Sequence, residues 1–167
     1  MTVREGWEQL AESLIPLKAE DYYPPGGGQA FWTSLREASE AQAELEVIRS
    51  EGERLLKCPA EELTYSLFSL FAVQGSRLEY ERVYFEKRRR LNTFAFLSLL
   101  EPESAVYEAA LRDAVWAICS EFTWCLPAHV DAKRPVSETI DLFSAETGFA
   151  LRSEEHTSEL QSLRHLV

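Results

Sequence analysis

RLEYERVYFEKRRRLNTFAFLSLL, residues 77–100, reads as one uninterrupted helix, and its reading decides the fold. Gly75-Ser76 marks a turn before it. Glu101-Pro102 closes it, because proline cannot continue a helix. The flanking sequence reads as helical on both sides of it.

Upstream, residues 29–57 read helical and are rich in Ala, Glu, Gln and Leu, with Gly52 as a candidate break. Cys58-Pro59 ends that segment, and Pro59 suits the start of the next helix. Residues 61–73 carry Leu63, Leu67, Phe68, Leu70 and Phe71, a broad apolar face. Downstream, Ser104 is placed to cap a helix running through Leu111, Val115, Trp116 and Ile118 to about Trp124. Pro127 stops it, residues 128–135 read as a loop, and residues 137–151 read as a further helix. At the start, Thr2 and Glu5 form a capping-box pattern before a short helix bearing Trp7, Leu10 and Leu14. Residues 21–28 are a Pro- and Gly-rich loop. Its triple glycine has no GK[ST] after it and no strand before it, so it does not read as a phosphate cradle. No run alternates with period two. The expected class is all-α, with about six helices forming hairpins that stack.

The last stretch stands apart. RSEEHTSELQS, residues 152–162, resembles one translated frame of a common short-read sequencing adapter, and residues 163–167 fit its continuation. The expected organisation is therefore residues 1–151 as a partial helical domain and 152–167 as a non-native tail, excluded from fold reasoning.

The whole chain has 17 basic and 28 acidic residues and a net charge of −11. Without Arg152, Arg164, Glu154, Glu155 and Glu159, 15 basic and 25 acidic residues remain. That acidic balance argues against general nucleic-acid binding, which needs a basic footprint. His156 and His165 leave with the tail, so His129 is the one remaining histidine and a histidine-built metal site is not expected. Cys58, Cys119 and Cys125 are odd in number and form no CxxC, so no disulfide framework is expected. MTVREGWEQL does not read as a signal peptide, and no apolar run approaches membrane-spanning length. The expected location is the cytoplasm, with no membrane partner and no cofactor.

Two stretches carry a resemblance. CSEFTWCLPAH, residues 119–129, and IDLFSAETGFAL, residues 140–151, together resemble the heparinase II/III-like family. There a helix ending in a Glu–Trp–Leu-Pro-Ala-His pattern precedes a loop and an Asp-Leu…Ala-Glu-Thr helix. YFEKRRRL, residues 84–91, is similar to the family's preceding helix. Gly148 stands where alanine is expected, a cost of roughly 1 kcal/mol in helix propensity. The resemblance implies the first part of an α/α toroid of helical hairpins, followed elsewhere by a β-sandwich. It implies a polysaccharide lyase acting by β-elimination on a uronic-acid polymer such as heparan sulfate or alginate. It also places the Asn, His and Tyr residues of the acid–base centre beyond the Ala-Glu-Thr helix. This stretch alone is therefore expected to be inactive, with no catalytic residue in it, and its partner to be an acidic polysaccharide or oligosaccharide.

Three candidate substrate contacts follow. His129, in a loop after a helix stop, has open readings as a sugar contact or a structural hydrogen-bonding group. Trp124 offers a flat apolar face and a donor for a sugar ring, or core packing. Glu121, three residues earlier, is expected on the same helical face as Trp124, capping a neighbouring helix or holding His129. Asp141 reads as structural, an acid near a helix start. Residues 87–90, Lys-Arg-Arg-Arg, read mainly as solvated surface paired in part with Glu79, Glu81 and Glu86. The alternative to the lyase reading is a non-catalytic α-helical interaction module.

Overall fold

The computed structural model describes residues 29–131 and 133–154 and is all-α. Its helices are α1 (Gln29–Glu37), α2 (Gln42–Lys57), α3 (Tyr65–Gln74), α4 (Leu78–Leu100), α5 (Ala105–Cys119) and α6 (Leu142–Glu154). Short 3-10 turns lie at Ser39–Ala41, Pro127–His129 and Val136–Glu138, and no strand occurs among the described residues. The expected features at Thr2, Trp7, Leu10 and Leu14, the glycine-rich loop and the tail beyond Glu154 lie outside the described residues.

Local chemistry places each boundary. The segment read as one helix over residues 29–57 is two. Ala38 is extended, and the Gln42 Nε2 donates to the Arg36 and Ala38 carbonyls at 2.9 Å each, satisfying the end of α1. Gly52, the expected break, lies inside α2 instead. Cys58 is extended, as residues before proline prefer, so Pro59 sits in a linker and does not start α3. That helix starts later, where the Thr64 hydroxyl accepts from the Leu67 N–H. Gly75 closes it at φ 70°, a left-handed conformation that glycine adopts freely. Helix α5 stops at Cys119, short of Trp124. Ser104 holds its N-cap position but its side chain makes no capping bond. The final helix starts at Leu142, not 137, because Asp141 caps it: its Oδ1 accepts from the Ser144 N–H at 2.8 Å.

The other helices pack on α4. At 23 residues it is about 35 Å long. Tyr80, Tyr84, Lys87, Leu91 and Phe94 are all buried and recur at alternating steps of four and three, the spacing of a helix seam. Its middle and C-terminal half meets Leu55 of α2 and Leu111, Ala114 and Ile118 of α5 in one apolar cluster. Its last turn, through Leu100, meets Trp32 and Leu45. Its first turns, through Tyr80 and Tyr84, meet Leu126 of the segment after α5. Ion pairs reinforce the α2–α4 contact: Arg54–Glu86 at 2.9 Å across the two helices and Arg49–Glu101 at 2.8 Å just beyond α4. Large apolar side chains also remain outside, among them Trp116, Phe122 and Ile140 at 68%, 83% and 80% exposure. No helix among the described residues is long and apolar enough to cross a membrane.

Gly52 explains the close approach of α2 and α4. A Cβ added there would stand 2.3 Å from Leu97 Cδ1, and Leu97 is fully buried. Gly52→Val is therefore expected to lower unfolding stability by about 1–3 kcal/mol through overpacking, even though valine is the better helix former. Denaturant unfolding checks it; unchanged stability would show that Leu97 repacks freely.

Candidate functional site

Lys87 occupies a seam position where an apolar side chain is expected, so its charge needs a partner inside the protein. Glu121 provides it from just beyond the C-terminus of α5. Its Oε1 lies 2.8 Å from Lys87 Nζ. Arg88 grips the same carboxylate with both terminal nitrogens, at 2.8 and 2.7 Å. Side-chain exposures of 10% for Lys87, 13% for Arg88 and 3% for Glu121 make this a buried cluster of two cations and one anion. Lys87 also donates to the Ala117 carbonyl at 3.1 Å. The Arg88 guanidinium lies 3.6 Å from the centroid of the Tyr84 ring, a cation–π contact.

The cluster organises the chain after α5. The Tyr84 hydroxyl donates to the Trp124 carbonyl at 2.9 Å and lies 3.2 Å from Thr147 Oγ1 on α6. Arg88 Nε donates to the same Thr147 oxygen at 3.3 Å. The Trp124 indole donates to the Ile118 carbonyl at 2.9 Å. Asp141 completes the set, its Oδ2 accepting from the Leu126 N–H at 3.1 Å and pairing with His129 Nδ1 at 2.8 Å. Burial pushes the Asp141 carboxyl up, but donors from Ser144, Leu126 and His129 outweigh it and hold it at about 2. Asp141 is therefore a carboxylate at neutral pH and only accepts. The His129 Nδ1 must carry the proton between them, which leaves Nε2 as an acceptor in the neutral ring. The His129 ring stacks on Phe143, with centroids 5.8 Å apart and 18° between planes.

The three candidates thus have different surroundings. His129 is exposed at 38% of its side chain and can meet a ligand. Trp124 is half-buried with its donor used within the fold, and it packs against the central apolar cluster. Glu121 is buried, does not share a helix with Trp124 and does not hold His129; Lys87 and Arg88 claim it, while Asp141 holds His129. The solvated reading of residues 87–90 is corrected as well. Lys87 and Arg88 are buried in the cluster, and Arg90 donates to the Leu55 and Cys58 carbonyls at the end of α2. Arg89 is the exposed one, paired with Glu86 at 3.3 Å. Glu81 pairs with Arg77, and Glu79 accepts from Ser76. The seam spacing through Tyr84, Lys87 and Leu91 was the signal for a buried lysine. Cys125 is no nucleophile at neutral pH: burial, then Asp141 nearby, pushes its thiol up to about 11.

No protein-family model, no curated protein and no solved structure matches this chain.

Asp141 gives the fold an acid-sensitive joint. Its carboxyl titrates near 3.8 when free and about 2 in the fold. A depressed folded value means that its stabilisation is complete above roughly pH 4 and is lost as pH falls towards 2. Asp141→Asn is expected to lower stability at neutral pH and to flatten the acid loss in that window. Unfolding curves at stepped pH test this; parallel losses in both proteins would remove Asp141 from the account.

Proposed function

We propose that this chain is the N-terminal helical portion of a heparinase II/III-like polysaccharide lyase that cleaves uronic-acid polymers by β-elimination. One observation carries the reading. Residues of the two stretches with the family resemblance form two hydrogen-bonded sets, Glu121, Trp124 and Thr147 on Tyr84 and Arg88, and Leu126 and His129 on Asp141, joined by the packing of Leu126 against Tyr84 and of Phe143 against both Tyr84 and His129.

On this reading the network is a positioning device. It holds the helix-end loop so that His129 presents Nε2, with Phe143 stacked against the ring. Neutral His129 accepts from a sugar hydroxyl; protonated, it donates to a uronate carboxylate. β-Elimination needs three further roles. A donor neutralises the uronate carboxylate, a base removes the adjacent C–H proton, and an acid protonates the leaving glycosidic oxygen. The family resemblance assigns these to residues beyond the Ala-Glu-Thr helix. The exposed Trp116, Phe122 and Ile140 favour the second reading, a helical interaction module.

The test is to express the complete native reading frame and incubate it with heparan sulfate and with alginate. Unsaturated uronate products, followed by their ultraviolet absorbance, are the expected result, with His129→Ala raising KM more than it lowers kcat. A reading frame that stops soon after Leu151, or no product from a folded full-length protein, would leave the interaction module in its place.

A further inference from the structure

A cleft of about 240 Å³ opens between the end of α2, the linker after it, α4 and α5. Its apolar lining includes Leu55, Phe94 and Ala114, and its charged lining is Lys87, Arg90 and Asp113. Both cations have donors left over. An ammonium has three N–H groups, and Lys87 directs two of them at Glu121 and the Ala117 carbonyl. Arg90 directs one N–H of each terminal nitrogen at the Leu55 and Cys58 carbonyls, which leaves the second N–H of each as a donor, while its Nε is buried. Glu121 cannot satisfy the surplus, because its two oxygens already take Lys87 and both ends of Arg88. The lysine–arginine–glutamate cluster therefore keeps one uncompensated positive charge beside an apolar-walled cleft, where Coulomb attraction is stronger than in water.

We propose that this cleft binds a small oxyanion, a carboxylate or sulfate group carried by a ligand of roughly monosaccharide size. The oxyanion would accept from Lys87 and Arg90 and offset the surplus charge. The acidic chain repels anions at long range, so the site captures them only through this local field. Asp113, exposed on the cleft wall, weakens that field. The site does not depend on lyase chemistry, and sulfate binding is expected whether or not β-elimination is found.

Equilibrium dialysis of the 167-residue chain against radiolabelled sulfate, and separately against labelled glucuronate, tests it at constant ionic strength, with labelled glucose as the neutral control. One saturable site for sulfate or glucuronate and none for glucose is expected. Preference for glucuronate would identify a carboxylate site, and preference for sulfate a sulfate site. Ala60→Glu adds a carboxylate at an exposed residue of the lining without touching the buried cluster. It should weaken binding roughly tenfold, and Asp113→Asn should strengthen it several-fold. Absence of saturable binding by either anion, or equal binding by all three proteins, would overturn the proposal.

Discussion

The carboxylate of Glu121, buried between Lys87 and Arg88, is the interaction on which the rest of the structure depends. Helix α4 can bring two adjacent cations into the interior only if an anion meets them there. The segment after α5 is then obliged to pass close to α4. Breaking such a group by removing one partner typically costs about 3–5 kcal/mol, since it strands a charge. Its contribution is therefore best understood as fixing position, with net stability coming from the apolar clusters along α4.

From that fixed point the remaining contacts follow in sequence. Arg88 lies against the Tyr84 ring, and Tyr84 reaches the Trp124 backbone and Thr147 of α6. Asp141 ties the start of α6 to Leu126 and His129. The chain between α5 and α6, short of regular structure, is thus held by side chains of its neighbours. His129 stays exposed at the end of this chain of contacts, with one ring nitrogen committed and the other available. Lys87 links the two regions proposed to meet ligands, since it both anchors Glu121 and lines the cleft beside α2.

Much of the helical order was legible in the sequence, because proline, glycine and apolar spacing act locally. Helix α4 shows its length in the uninterrupted run from Leu78 to Leu100. Boundaries set by side-chain capping were harder to see. Thr64 and Asp141 delay their helices beyond the first helix-forming residues, and Ala38 divides α1 from α2 with no proline or glycine to announce it. Gly52, a breaker by propensity, serves close packing against Leu97 instead. For the site, His129 could be singled out as an isolated histidine in a loop. The partner of Glu121 could not, because pairing across 33 residues depends on how α5 returns along α4. Four consecutive basic residues suggested surface. Only the helix seam distinguishes Lys87 from Arg89.

The central claim is that Glu121 and Arg88 form an energetically coupled buried pair that fixes the chain after α5. A double-mutant cycle on unfolding stability, using Arg88→Met, Glu121→Gln and the double variant, measures that coupling directly. The double variant is expected to lose less than the two single losses together, by more than about 1 kcal/mol, because the second substitution removes a charge the first had stranded. Losses that add to within about 0.5 kcal/mol would contradict it, leaving the two residues near each other without the interaction on which the site is built.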